Sequence, residues 1–118
     1  MSSFGNYVRT TREALQHAQG RQFSLRQVAA RVGVEPAYLS KIERDETAPP
    51  SEATTLKLAA ELGQDTDLLL AMAGKVSKEL LDIVMKRPQL FAQLLRELKN
   101  CPDDAILKVV REVRNGEW

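Results

Sequence analysis

With one cysteine, Cys101, the 118-residue chain has no intrachain disulfide framework. One histidine, His17, leaves no Cys/His grouping at metal-ligand spacing, and no glycine loop of the phosphate-cradling kind is present. The neighbouring carboxylates Asp103 and Asp104 are consecutive at a helix start, so they favour the helix dipole and point in different directions. A cofactor-dependent or metal-dependent enzyme is therefore not expected. No apolar run approaches the ~18 residues that span a bilayer, and the N-terminus lacks a signal-peptide pattern, so no membrane partner is expected. Runs of β-branched residues are few, and Leu, Ala, Arg, Glu and Gln abound, which favours an all-α fold. Excess charge is also scarce: the formal net charge is only +1.

What the chain does have is the stretch from Ser24 to Arg44. Ser24 is a good N-cap, and Leu25, Val28, Ala29 and Val32 recur at helical spacing to make one apolar face. Gly33 supplies the permissive backbone of a sharp helix-to-helix turn. Pro36 suits the first position of the next helix, where its missing N–H costs nothing. Leu39 and Ile42 then point into a core, leaving Ala37, Tyr38, Ser40, Lys41 and Arg44 outward. Two short helices joined this way form a helix-turn-helix, a unit that places its second helix in the DNA major groove.

Charge distribution supports that reading despite the small total. Residues 1–44 carry a net +4, residues 45–74 a net −5, and residues 75–118 a net +2. Positive charge sits on the segment that would meet phosphates, and a dimer would double the footprint. Modest, salt-sensitive affinity is the expectation.

The first helix is read from about Phe4 to Gln19, with Tyr7, Val8, Thr11, Ala14, Leu15 and Ala18 as an apolar-leaning stripe. Asp45 to Pro50 is a loop. A helix opened by Ser51 or Glu52 carries Ala53, Leu56, Leu58, Ala59 and Leu62 and closes at Gly63. A short helix from about Thr66 to Met72 ends at Gly74, where the domain boundary is placed, giving residues 1–74 and 75–118. In the second segment, Ser77 can cap a helix containing Leu80, Leu81, Ile83 and Val84, interrupted by Pro88. A second helix carries Leu90, Phe91, Leu94, Leu95 and Leu98. A third, started by Pro102 and Asp103, carries Ala105, Ile106, Val109, Val110 and Val113 on one face. Such helices are too short and too few for a robust core of their own, so each must pack on the first domain or on another chain. A dimerisation element built from these residues and Trp118 is the preferred reading, and packing on the chain's own first domain is the alternative.

Several motifs in order resemble the Cro/lambda-repressor-like, or xenobiotic-response-element, helix-turn-helix family. They are Ser24-Leu25-Arg26-Gln27-Val28-Ala29, Gly33-Val34, Tyr38-Leu39-Ser40-Lys41-Ile42-Glu43-Arg44, Pro49-Pro50-Ser51 and Leu58-Ala59-Ala60-Glu61-Leu62-Gly63. The resemblance covers the chain up to about Ala73. It implies a five-helix DNA-binding domain, usually dimeric, acting on double-stranded operator DNA in the cytoplasm. Carried over residue by residue, it puts base contacts at Pro36, Ala37, Ser40 and Lys41. Lys41 would reach a guanine edge or a phosphate, and Ala37 a thymine methyl. Tyr38 would meet backbone or sugar, Arg44 and Thr47 phosphate, and Arg26 and Gln27 the backbone at the start of the preceding helix. Two departures stand out: Leu25 occupies a position where many members place Gln, and Glu35 replaces the usual Ser or Thr before the recognition helix. The resemblance also pairs Arg12 with Glu43.

The remaining singled-out residues have plainer readings. Arg9, Arg21 and Arg31 are expected as solvated surface, Tyr38 could be partly core, and Cys101 reads as a buried structural thiol rather than a redox sensor. Two functions of different class follow. One is a dimeric transcriptional repressor of a partly palindromic operator, with recognition helices ~34 Å apart. The other is a protein-binding adaptor or antitoxin that works through residues 75–118.

Overall fold

A computed structural model describes residues 3–116 and 118, and every regular element in them is helical. The chain divides into two compact units, the first ending at Ser77 and the second beginning at Lys78.

In the first unit, Ser3 caps α1 (Phe4–Gln19) by accepting from the Asn6 N–H at 3.1 Å. A single 3₁₀ turn, Arg21–Phe23, leads to α2 (Leu25–Val32), whose Ser24 hydroxyl accepts from the Gln27 N–H at 3.2 Å. Gly33 ends α2 in the left-handed conformation, at φ 86°. Its N–H and that of Val34 both return to the Ala29 carbonyl, at 2.9 and 3.0 Å, which closes the orphan end of the helix. Glu35 is extended, and Pro36 starts α3 (Pro36–Glu43) with no side-chain cap. Ser51 caps α4 (Glu52–Leu62), and Asp65 caps α5 (Thr66–Met72) by accepting from the Asp67 and Leu68 N–H groups.

The core draws on all five helices: Phe4 and Val8, then Val28, Ala29 and Val32, then Leu39 and Ile42, then Leu58, Ala59 and Leu62, then Leu69. These positions recur at three- and four-residue spacing, so each helix buries one stripe. Two stripes differ from the sequence expectation. On α1 the buried face runs Phe4, Val8, Arg12, while Ala14 and Ala18 are exposed. On α4 it runs Thr55, Leu58, Ala59, Leu62, while Ala53 and Leu56 face out. Thr55 tolerates burial because its hydroxyl donates to the Pro50 carbonyl at 3.5 Å.

Long-range polar ties fasten the unit. Tyr7 donates its hydroxyl to Gln64 Oε1 at 2.5 Å, joining α1 to the end of α4. Lys75 Nζ donates to the Pro50 carbonyl at 2.9 Å. Arg31, expected as solvated surface, is exposed and also pairs with Glu61 at 2.6 Å, donates to the Gln22 carbonyl and lies over the Phe23 ring.

The second unit contains α6 (Lys78–Lys86), α7 (Pro88–Leu98) and α8 (Asp103–Asn115). Pro88 occupies the first turn of α7, so it ends one helix and opens the next. None of these three helices has a buried residue. Cys101 is half-buried, not buried, and its thiol donates to the Glu97 carbonyl at 3.3 Å. The short link between α7 and α8 therefore leaves it at the surface of its own turn.

Candidate nucleic-acid interface

The position of α3 is fixed from behind by charge. Arg12 of α1 and Glu43, the last residue of α3, form a two-pronged ion pair: Nε to Oε2 at 2.7 Å and Nη2 to Oε1 at 2.9 Å. Their side chains are 8% and 4% exposed. Arg12 also donates to the Phe23 carbonyl at 3.1 Å and to Gln16 Oε1 at 3.2 Å, so the buried guanidinium has a partner on each side. The hydrogen bond to Glu43 raises the Arg12 pKa, against a smaller opposing effect of burial. Arg12 is thus charged across the physiological range and gives up its contribution only in strong alkali.

A second tie holds the other side of the α3 exit. Asp45 sits in the left-handed region, at φ 58°, and turns its carboxylate onto the start of α1. Oδ1 accepts from the Gly5 N–H at 3.1 Å and Oδ2 from the Ser3 hydroxyl at 2.6 Å. A negative charge at a helix N-terminus is favourable. The approach is possible because Gly5 has no Cβ; one there would collide with the Ile42 carbonyl oxygen and crowd the Asp45 carboxylate.

With Leu39, Ile42 and Glu43 buried, α3 turns its opposite face outward. Ala37 and Lys41 are exposed, Tyr38 is 37% exposed, and Pro36 and Ser40 are half-buried. Arg44 and Thr47 follow on the exposed stretch after α3, and Arg26 and Gln27 are exposed in the first turn of α2, which packs on α3. The residues read from sequence as base and phosphate contacts thus fall on α3, on the segment leaving it and on its partner helix.

Charge on this surface is less free than the sequence suggests. Of the cations in residues 1–44, Arg9 pairs with Glu13, Arg12 with Glu43, Arg31 with Glu61 and Arg44 with Glu46. Among the described residues, Arg21, Arg26 and Lys41 have no ion-pair partner. The Arg44–Glu46 pair, at 3.0 Å, has both side chains 52% exposed, so it is worth under about 1 kcal/mol and yields readily to a stronger anion. Sequence reasoning missed Asp45, because nothing in a polar loop marks which residue enters the left-handed region; only the tolerance of Asp for it was available.

The remaining chemistry is sparse. Among the described residues, no group of three or more His, Cys, Asp or Glu is placed to hold a metal ion, and no helix is long and apolar enough to cross a membrane.

Two short helices at a left-handed glycine, the second braced by a buried ion pair and outward-facing with small and basic residues, define a helix-turn-helix domain. The family model for that domain matches residues 3–72, and the chain belongs to this family. It is 37% identical over 76 residues to the uncharacterized HTH-type transcriptional regulator RghRB of Bacillus subtilis (strain 168). That match covers 64% of this chain and 50% of the relative, so the chain spans about half the relative's length. No solved structure matches it.

Proposed function

We propose that this chain is a DNA-binding transcriptional regulator that acts as a dimer and represses from a partly palindromic operator. The observation that carries this reading is α3 itself, a helix held rigidly at its C-terminal end by Arg12–Glu43 and Asp45 while Ala37, Tyr38 and Lys41 stand free of the core. Small side chains early in such a helix allow close approach to base edges, and a basic one beyond them can meet guanine or phosphate. Pro36 and Ser40 complete the base-facing set, with Arg26, Gln27, Arg44 and Thr47 on the backbone. The name of the Bacillus relative supports the same class. No catalytic step is assigned to the chain, and its working place is the cytoplasm, where operator DNA is found.

A second reading has its own observation. Leu90, Leu94, Leu95, Val109, Val110 and Val113 are exposed, with Phe91, Leu98 and Ile106 half-buried and Trp118 92% exposed. A segment from 75 to 118 with so much uncovered apolar surface suits a protein partner, either a second copy or, in the adaptor reading, a different protein.

Salt separates the two. Binding to mixed-sequence DNA should weaken by about tenfold or more between low and moderate salt, through release of phosphate counterions. An adaptor would give no measurable DNA affinity at either salt, with a protein contact that barely responds.

A further inference from the structure

We infer that α8 pairs with α8 of a second copy of this chain, antiparallel, about a two-fold close to Val109. This rests on the dimeric reading above and specifies its contact. Within the second unit α6 packs on α7, whereas α8 makes no comparable contact with either, so its apolar face, half-buried at Ile106, is largely uncovered from Val109 onward. That face is the seam Ile106, Val109, Val110 and Val113, spaced three and four residues apart; Val110 is 50% and Val113 63% exposed.

The occupant follows from charge. Asp103 and Arg114 are about three turns apart, so both lie on the same flank of the seam, one at each end. A two-fold across the helix axis keeps that flank adjacent to itself and reverses its direction. Asp103 of each copy then faces Arg114 of the other, at both ends, and the surface is self-complementary. Antiparallel packing also opposes the two helix dipoles and places each acidic first turn beside a basic last turn. A parallel pair would instead bring the two Asp103-Asp104 turns together, which like charges disfavour. Among the described residues neither Asp103 nor Arg114 has an ion-pair partner within its own chain. At about 1.5 Å per residue α8 is about 20 Å long, a short seam, so the association is micromolar or weaker unless other contacts add to it.

The test is sedimentation equilibrium on the full chain at about 1–100 μM. Asp103→Arg and Arg114→Asp should each weaken self-association about tenfold, because each makes both ends repulsive. Mixing the two variants one to one should recover the affinity to within about threefold, since every end is again an opposite-charge pair. The neutral variants Asp103→Asn and Arg114→Gln, each expected to weaken association by about threefold, serve should a reversed charge unwind α8 as judged by circular dichroism. A dimer indifferent to these changes, or weakened but not recovered by mixing, overturns the α8 pairing and leaves the dimeric reading standing. A wild-type chain that stays monomeric overturns both.

Discussion

The Glu43 side chain is 4% exposed in the intact pair, so replacing Arg12 with alanine takes the counter-charge from a carboxylate set in the interior. Breaking such a pair from one side costs about 3–5 kcal/mol, which is a large part of a small domain's stability. Denaturant unfolding of R12A should show that loss, and Glu43→Gln a comparable one; a change under about 1 kcal/mol would mean that the pair is not buried as described. Asp45 makes a sharper case. Asn tolerates the left-handed region and keeps an acceptor for the Gly5 N–H, so Asp45→Asn should stay within about 0.5 kcal/mol of wild type. Alanine combines about 1 kcal/mol of left-handed strain with about 1 kcal/mol of lost capping, so Asp45→Ala should lose about 2 kcal/mol. Equal stability for the two variants would remove Asp45 from its capping role. At this scale little was legible beforehand. The Arg12–Glu43 pair was available only through family resemblance, and the Arg31–Glu61 and Tyr7–Gln64 contacts joined residues far apart in the chain, which periodicity does not address.

At the scale of elements the sequence was far more informative. Caps and breakers set helix ends by local chemistry, so α1 and α5 occupy the spans that Gly20 and Gly74 bracket, and Gly33 and Pro36 mark the turn between α2 and α3. Faces were harder. Strong apolar residues placed the stripes of α2 and α3 correctly, but Ala14 and Ala18 carry too little hydrophobic weight to orient α1, whose buried stripe continues through a charged residue. On α4, polarity alone puts Leu56 in the core and leaves Thr55 out of it, because satisfaction of a buried hydroxyl by a loop carbonyl is invisible in such a pattern. The functional consequence lies on α3. Lys41→Ala removes an exposed cation that has no ion-pair partner among the described residues, and should weaken operator binding by about tenfold with no loss of thermal stability. Arg44→Ala should cost less, since Glu46 already competes for that guanidinium. If both variants bind as wild type does, α3 is not the reading helix.

For the molecule as a whole, the two units pose different physical problems. The first has a closed core drawn from five helices and polar ties between distant elements; the second has amphipathic helices without a buried residue. Hydrophobic burial stabilises the first in the single chain, while the second carries apolar surface of the kind that assembly covers. A regulator of palindromic DNA needs two such DNA-binding units, and a two-fold through the second unit would bring two together. Selection of bound sequences from a random DNA pool by the purified full chain tests the central claim most directly. An enriched motif with two inverted half-sites, bound more weakly when Lys41 is changed to alanine, is the predicted result. A pool that stays random through successive rounds, with the protein folded throughout, would contradict it.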